Sequence, residues 1–368
     1  MYNSRQPDKE PFRLIIDRHL SWEILRPFAT GLGLLILIFI GFSAARQLTA
    51  AAEGQLDMLT AFKLIGLNTL ITLEILLPSA LFFSVLAAIG RLYRDSEMTA
   101  FYAAGVSRTR ILEAVFKLAL VIALITGFIS VQGRPWAFRT SYALESKAEA
   151  EFDLKKMATG EFVNMDGSDY IFIAKGIDLE QGLHKDVFLQ KTHKRQGRSE
   201  IIVAEFASLP SLNPGQAMQA QFYNGYNYLL DTREKRDVTL AFKEMIVRLP
   251  NEEALERYRR KAETTLTLSQ SSEPKDIAEF QWRITTPLAT ILLALIAVPL
   301  ARSAPRESRF RNFFIALGVY VALFSMTSVL RTWIEQEKLG AMPGLWTAYL
   351  IEGLLLAILV SQPWKKRR

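Results

Sequence analysis

Six apolar runs constrain this chain more than any other feature, because a run of that length has few places to go except a bilayer. A helix rises about 1.5 Å per residue, so roughly 20 apolar residues cross a hydrocarbon core with every backbone group bonded internally. The first run, residues 27–45 ("PFATGLGLLILIFIGFSAA"), holds no charge between Arg26 and Arg46. Residues 64–90 follow, interrupted by Glu74 and expected to bend at Pro78. The third, 118–133, is short and must borrow turns from the helix before it. After a long polar interval come 284–301, 312–330 and 339–364, the last with Glu352 inside it. With their flanks, the spans are expected at about 27–46, 62–91, 110–133, 281–301, 311–332 and 344–363. A secretory signal competes for the first run, given its "SAA" end, but the run exceeds an h-region of about 7–15 residues.

Basic residues orient the spans. Lys and Arg number five before the first span, four in residues 90–110, four in "ARSAPRESRFR" and four in the terminal "KKRR". The two other short loops hold only Arg46 with Lys63, and Arg331 with Lys338. The positive-inside bias therefore puts both termini and the loops 90–110 and 301–311 in the cytoplasm, with the interval between spans three and four outside. The net charge of +7 is then mostly a topology signal, which removes the argument for a nucleic-acid partner.

That interval implies a soluble domain. The chain is 50% hydrophobic with a mean hydropathy of +0.14, too polar to be membrane throughout. It has no cysteine, so the outer part must be held by its own core. A polar helical segment, "RTSYALESKAEAEFDLKKMATG", opens it, and the period then changes. "GEFVNM", "DYIFIAK", "KDVFLQKT", "EIIVAEFASL", "QAMQAQFY", "YNYLLD" and "DVTLAFKEMIVRL" are short, β-branched or aromatic, and separated by Asp-Gly, Asn-Pro-Gly and Asn-Gly turn signals. Strands with no helix between them predict an all-β sandwich or jelly roll. "NEEALERYRRKAETT" and "SQSSEPKD" read as a helical return and a linker. The expected domains are residues 1–133, 134–272 and 273–368.

Catalytic patterns are missing. There is no G-x-x-x-x-G-K-[ST] loop to hold ATP, no G-x-S-x-G elbow and no H-E-x-x-H. His19, His184 and His193 show no metal spacing and read as surface residues. No cofactor is expected. Two acids, Glu74 and Glu352, lie within spans, where a carboxylate is a candidate for proton or substrate handling, the alternative being an interhelical hydrogen bond. Arg46 stands at the outer end of the first span, against the positive-inside bias. It reads either as a snorkelling anchor or as a cation at a cavity mouth, able to engage a phosphate bidentately.

The polar stretch "GRLYRDSEMTAFYAAGVSR" (90–108) between spans two and three parses by its caps. Asp95 or Ser96 suits an N-cap, Glu97 the first turn, Gly105 the C′ position, and Ser107 the cap of the next helix. The expected product is a short cytoplasmic helix, about 95–105. Ala100, Ala103 and Ala104 allow close approach, and Met98, Phe101 and Tyr102 offer contact area. Such a helix is what a membrane subunit presents to a separate motor; the alternative is a helix resting on the bilayer.

That stretch, with "RHLSWEILRPF" before span one, "EFQWRIT" before span four and "VPLARSAPRESR" after it, resembles the lipopolysaccharide export permease family LptF/LptG, and the lead-in and "EFQWRIT" are closer to its LptF branch. The resemblance covers the whole chain. It implies a six-span inner-membrane bundle with a periplasmic jelly roll inserted between spans three and four. It further implies a partner of the LptG type, a dimeric cytoplasmic ATPase that supplies the hydrolysis this chain lacks, and periplasmic and membrane-anchored bridge proteins that receive lipopolysaccharide. Carried over by position, Glu97 matches the acidic docking residue of the coupling helix, in a segment that includes Asp95, Met98, Phe101 and Gly105, and Arg46 matches a residue that holds lipid phosphates. Glu74 and Glu352 match nothing in the pattern, and the extra leader "MYNSRQPDKEPF" has no assigned role. The rival readings are a permease of another lipid or lipoprotein exporter, and a proton-coupled secondary transporter using Glu74 or Glu352.

Overall fold

The computed structural model describes residues 9–158, 163–164, 170–178, 183–193, 198–208, 218–231, 238–249, 260–302 and 309–361. Residues 251–259 of the predicted return helix (251–265), the Asp-Gly and Asn-Pro-Gly turn signals, most of the 301–311 loop, the leader's first eight residues and the terminal basic run lie outside these.

The helices are α1 (Lys9–Ala52), α2 (Met58–Arg94), α3 (Glu97–Ala103), α4 (Arg108–Phe128), a π-helical turn (Ile129–Gly133), α5 (Arg134–Ala158), α6 (Thr265–Gln270), α7 (Pro274–Leu300), α8 (Arg309–Glu335) and α9 (Trp346–Ser361). Five helical stretches among the described residues are long and apolar enough to cross a membrane: Ile16–Ala52, Met58–Arg94, Arg108–Ala148, Pro274–Leu300 and Arg311–Glu335. α9 is apolar but spans only 16 described residues. α2 continues through Pro78 as one helix. The third span gains turns from the segment before it, as expected, since α4 starts at Arg108; it also runs on without a break through the π turn into α5, which the sequence did not suggest.

The chain divides into two compact units, one made of Met1–Ser43, Ile65–Phe138 and Arg260–Arg368, the other of Ala44–Leu64 and Arg139–Arg259. The core of the helical unit gathers Leu81, Phe82, Val85, Ile89 and Leu92 of α2, Ile111, Val115 and Ala119 of α4, and Ala294, Ala297 and Val298 of α7. The lower part of α1 joins it through Ile16, Leu20, Ile24 and Phe28, a stripe at four-residue spacing that turns one helical face inward. The upper part of α1 contrasts sharply, with Leu34, Leu37, Ile38 and Phe42 exposed within this chain.

Among the described residues the β unit has six strands in a single antiparallel meander: β1 (Val163–Asn164), β2 (Tyr170–Asp178), β3 (Leu183–His193), β4 (Arg198–Ser208), β5 (Met218–Asp231) and β6 (Val238–Leu249). One side carries Ala174, Val187, Leu189, Ile202, Ala204, Ala207, Ala220 and Phe222, all buried. The Asn-Gly signal at 224–225, read from sequence as a turn between two strands, instead lies inside β5. Asn224 (φ 52°) and Asp186 of β3 (φ 48°) are both left-handed, and both face Glu205 of β4 in the register. Asn224 Nδ2 donates to Glu205 Oε2 at 3.3 Å. Along this line the alternation slips by one: buried positions step from 184 to 187 in β3, from 204 to 207 in β4 and from 222 to 227 in β5. All three strands slip together, so the pairing on either side of this line keeps one register. Asn and Asp tolerate that backbone, and Gly225 is needed beside it because a Cβ there would strike the Val203 carbonyl and the Phe242 ring.

Candidate functional site

α3 is shorter than expected, and its ends show why it forms at all. Ser96 occupies the N-cap position in a left-handed conformation (φ 60°) without a side-chain cap bond. It acts as the tight reversal that swings the chain out of α2, so the expected capping by Asp95 or Ser96 is replaced by a backbone turn. The C-terminus follows the expectation. Gly105 has φ 84°, its N–H donates to the Tyr102 carbonyl at 3.0 Å, and the Val106 N–H donates to the Phe101 carbonyl at 2.9 Å. Those paired bonds, with Val106 buried, make a Schellman motif. Ser107 caps α4 by accepting from the Arg110 N–H at 3.3 Å.

The helix is fastened to the bundle on one side. Met98, 1% exposed, sits in the core, with Phe101 and Tyr102 packed against it. Met98 is therefore an anchor of α3, and its side chain is turned away from any partner. The Tyr102 hydroxyl lies 3.1 Å from that of Tyr93, and burial pushes its pKa above the ordinary tyrosine value. The other side of the segment presents Asp95, Thr99, Ala100, Ala103 and Ala104, all exposed, with Glu97 partly so.

Sequence reading missed that the foot of α1 belongs to the same structure. Asp17 accepts from Arg110 Nη2 at 2.9 Å and from Lys117 Nζ at 3.0 Å, and Glu23 pairs with Arg91. His19 Nε2 lies 3.4 Å from Glu97 Oε2 and packs edge-on to the Phe101 ring. The signal was available: Ile16, Leu20, Ile24 and Phe28 repeat every four residues through the charged lead-in. The second histidine corrects the surface reading, for His184 is 6% exposed on β3, and burial lowers its pKa.

Arg46 is exposed on α1 and makes no ion pair among the described residues. Glu74 is buried and fully engaged. Its Oε2 pairs with Arg134 Nε at 3.0 Å, and its Oε1 accepts from Ser130 Oγ at 2.6 Å and Trp282 Nε1 at 3.1 Å. A carboxylate so bound is an interhelical tie, the bland alternative of the sequence reading. Glu352 is also buried, and its Oε2 accepts no hydrogen bond among the described residues. The structure thus brings Asp95, Glu97, Phe101 and Gly105 together around one short helix and leaves Arg46, Glu74 and Glu352 outside it.

The family described as "Lipopolysaccharide export system permease LptF/LptG" matches residues 18–362. The lipopolysaccharide export system permease protein LptF of Escherichia coli (strain K12) is 28% identical over 356 residues, covering 95% of this chain and 94% of that protein. The LptG protein of Haemophilus influenzae is 27% identical over 168 residues, 44% of this chain and 45% of its own. A match running from the α1 foot through both sets of spans leaves a single assignment: the chain belongs to the LptF/LptG family, the permeases of the lipopolysaccharide export system.

Proposed function

We propose that this chain is one half of an ATP-driven exporter in the bacterial inner membrane, pairing with an LptG-type permease and driven by a dimeric cytoplasmic ATPase that docks on α3. In this reading α9 is a sixth span, both termini are cytoplasmic, and the periplasmic β unit completes a jelly roll that hands lipopolysaccharide to bridge proteins. Arg46 holds lipid phosphates at the outer end of α1. The need for a second permease is supported by burial: only 11% of the apolar window of α1 and 17% of that of α8 are covered within this chain, against 56% for α2. Surface of that kind is covered by lipid, cargo or another helix bundle.

The observation that carries the proposal is α3 itself. A seven-residue helix between two spans, closed at Gly105 and anchored by Met98, with its outer side small and acidic, is built to be gripped and to pass force to α1, α2 and α4 together. Losing one partner of a desolvated charge pair at an interface costs about 2–5 kcal/mol. Glu97→Lys is therefore expected to abolish ATPase copurification and export while the protein remains inserted, with Glu97→Ala milder and partial rescue by an acidic substitution on the ATPase. Full ATPase binding and export in Glu97→Lys would refute docking through α3.

A further inference from the structure

The largest buried charge cluster among the described residues touches neither α3 nor Arg46, and its centre is Glu279 on α7, 0% exposed. Glu279 Oε1 accepts from Arg134 Nη1 at 2.8 Å and from Arg283 Nε at 3.0 Å, and its Oε2 from Arg331 Nη2 at 2.6 Å. Arg134 also holds Glu74 of α2, and Arg331 Nε is held by Glu335 at 3.0 Å. Three acids thus balance three guanidiniums, which is what allows so much charge to be buried. Glu74, Glu279 and Arg331 each lie about 30 Å of helix from Arg94, Leu300 and Arg309 respectively, at 1.5 Å per residue. The cluster is therefore one layer across the bundle.

What singles it out is where its arginines reach. Arg134 is the first residue of α5, the helix by which the chain leaves for the β unit. Arg283, also 0% exposed, aims its remaining donors at the segment by which the chain returns: Nη1 donates to the Glu263 carbonyl at 2.8 Å and the Thr265 hydroxyl at 3.2 Å, and Nη2 to the carbonyls of Lys261 at 3.1 Å and Arg260 at 3.3 Å. Thr265 in turn donates to the Val131 carbonyl at 2.9 Å, inside the π turn that precedes Arg134. One carboxylate on α7 therefore holds the outgoing and the returning segments at once. The π turn adds meaning to this. Such a turn carries one residue more than an α turn, so its loss would rotate α5 by roughly 100° and shift it about 1.5 Å, pulling Arg134 off both acids. The cluster fixes the register of the helix that leads to the β unit.

We infer that Glu279 is a positioning residue for transport: acting through Arg134 and Arg283, it couples rearrangement of α2, α7 and α8 to the two segments that enter and leave the β unit. This rests on the exporter reading above, in which a motor moves the bundle. The test is a reconstituted complex of this chain, its partner permease and the ATPase in vesicles containing lipopolysaccharide, in which lipid extracted and ATP hydrolysed are measured together. Glu279→Gln leaves the arginines without their shared acid, and Arg134→Lys keeps the charge but removes the fork that spans Glu74 and Glu279. In both, hydrolysis is expected to stay within twofold of the parent while lipid extracted per ATP falls tenfold or more, with Glu279→Asp intermediate. An unchanged ratio in either variant, or a proportional fall of both quantities, overturns the inference; should Glu279→Gln fail to assemble, Arg134→Lys decides by the same criteria. Absence of ATP-dependent extraction by the parent would instead overturn the exporter reading, and this inference with it.

Discussion

Gly105→Ala isolates one backbone angle at the end of α3. The Gly105 φ of 84° is a conformation that costs an L-residue roughly 1–2 kcal/mol. No steric cost is added, because a Cβ built at this position meets nothing within 4 Å. The whole penalty therefore falls on the Schellman turn, and 1–2 kcal/mol is a shift of about 5- to 30-fold in its opening equilibrium. Hydrogen exchange of the assembled protein reads that shift directly. The amides of Gly105 and Val106, which donate to Tyr102 and Phe101, are expected to exchange about 5- to 30-fold faster, while the buried middle of α4 around Val115 and Ala119 keeps its protection. Gly105→Asn should do less harm, since Asn tolerates the left-handed region, and Gly105→Val more. Parent-like exchange at Gly105 and Val106 in the Ala variant would refute the strained-turn argument. A uniform loss of protection along α4 would refute its locality.

Three further outcomes are expected. Arg46→Glu should reduce the lipopolysaccharide retained by the gently solubilised complex by about tenfold, the loss of one charge-assisted contact, without loss of assembly; unchanged lipid would leave Arg46 as an interfacial anchor. A cysteine at Lys175 in β2 should react with a membrane-impermeant maleimide in intact spheroplasts and one at Thr109 only after lysis, and the reverse pattern would invert the topology. Burial lowers the His184 pKa from its ordinary 6.5, so the unfolded state binds more protons than the folded one in acid. The stability this site contributes is full above about pH 6.5 and is lost as pH falls through the folded pKa. Exchange protection of β3 and β4 should drop over that window, and His184→Gln should flatten the dependence.

The parts legible in the sequence were those fixed by local physics. Long apolar runs have only helices to become, Ser107 and Gly105 announce a helix start and stop by their chemistry, and β-branched alternation gave β2, β3, β4 and β6 close to their observed limits. The misread positions all needed a neighbour to decide them. Asn224-Gly225 carries a genuine turn signal, and the left-handed angle it predicts is present at Asn224. Yet a hairpin is ruled out there by Val203 of β4 on one side and Phe242 of β6 on the other, so the angle is taken up inside a continuous strand instead. Met98 reads from sequence as contact area because an amphipathic helix does not say which apolar side faces its own bundle, and only the core of α2 and α4 settles that.

The charge cluster was hidden for a different reason. Arg134 and Arg331 sit at the ends of spans, where a basic residue is ordinarily read as marking the water boundary, and Glu279 with Arg283 falls in "EFQWRIT", a motif first noticed for its resemblance. The spacing of four between Glu279 and Arg283 was the available clue, since an acid and a base one turn apart neutralise each other on one helical face. Within one helix that pair explains itself and asks for no partner. Only when α2, the π turn, α7 and α8 are brought to one level does Glu279 prove to be shared among three arginines, two of which lie on or hold the segments that lead to and from the β unit. A residue whose role is to join helices shows itself only where the helices meet, so a sequence read one span at a time gives its charge and withholds its purpose.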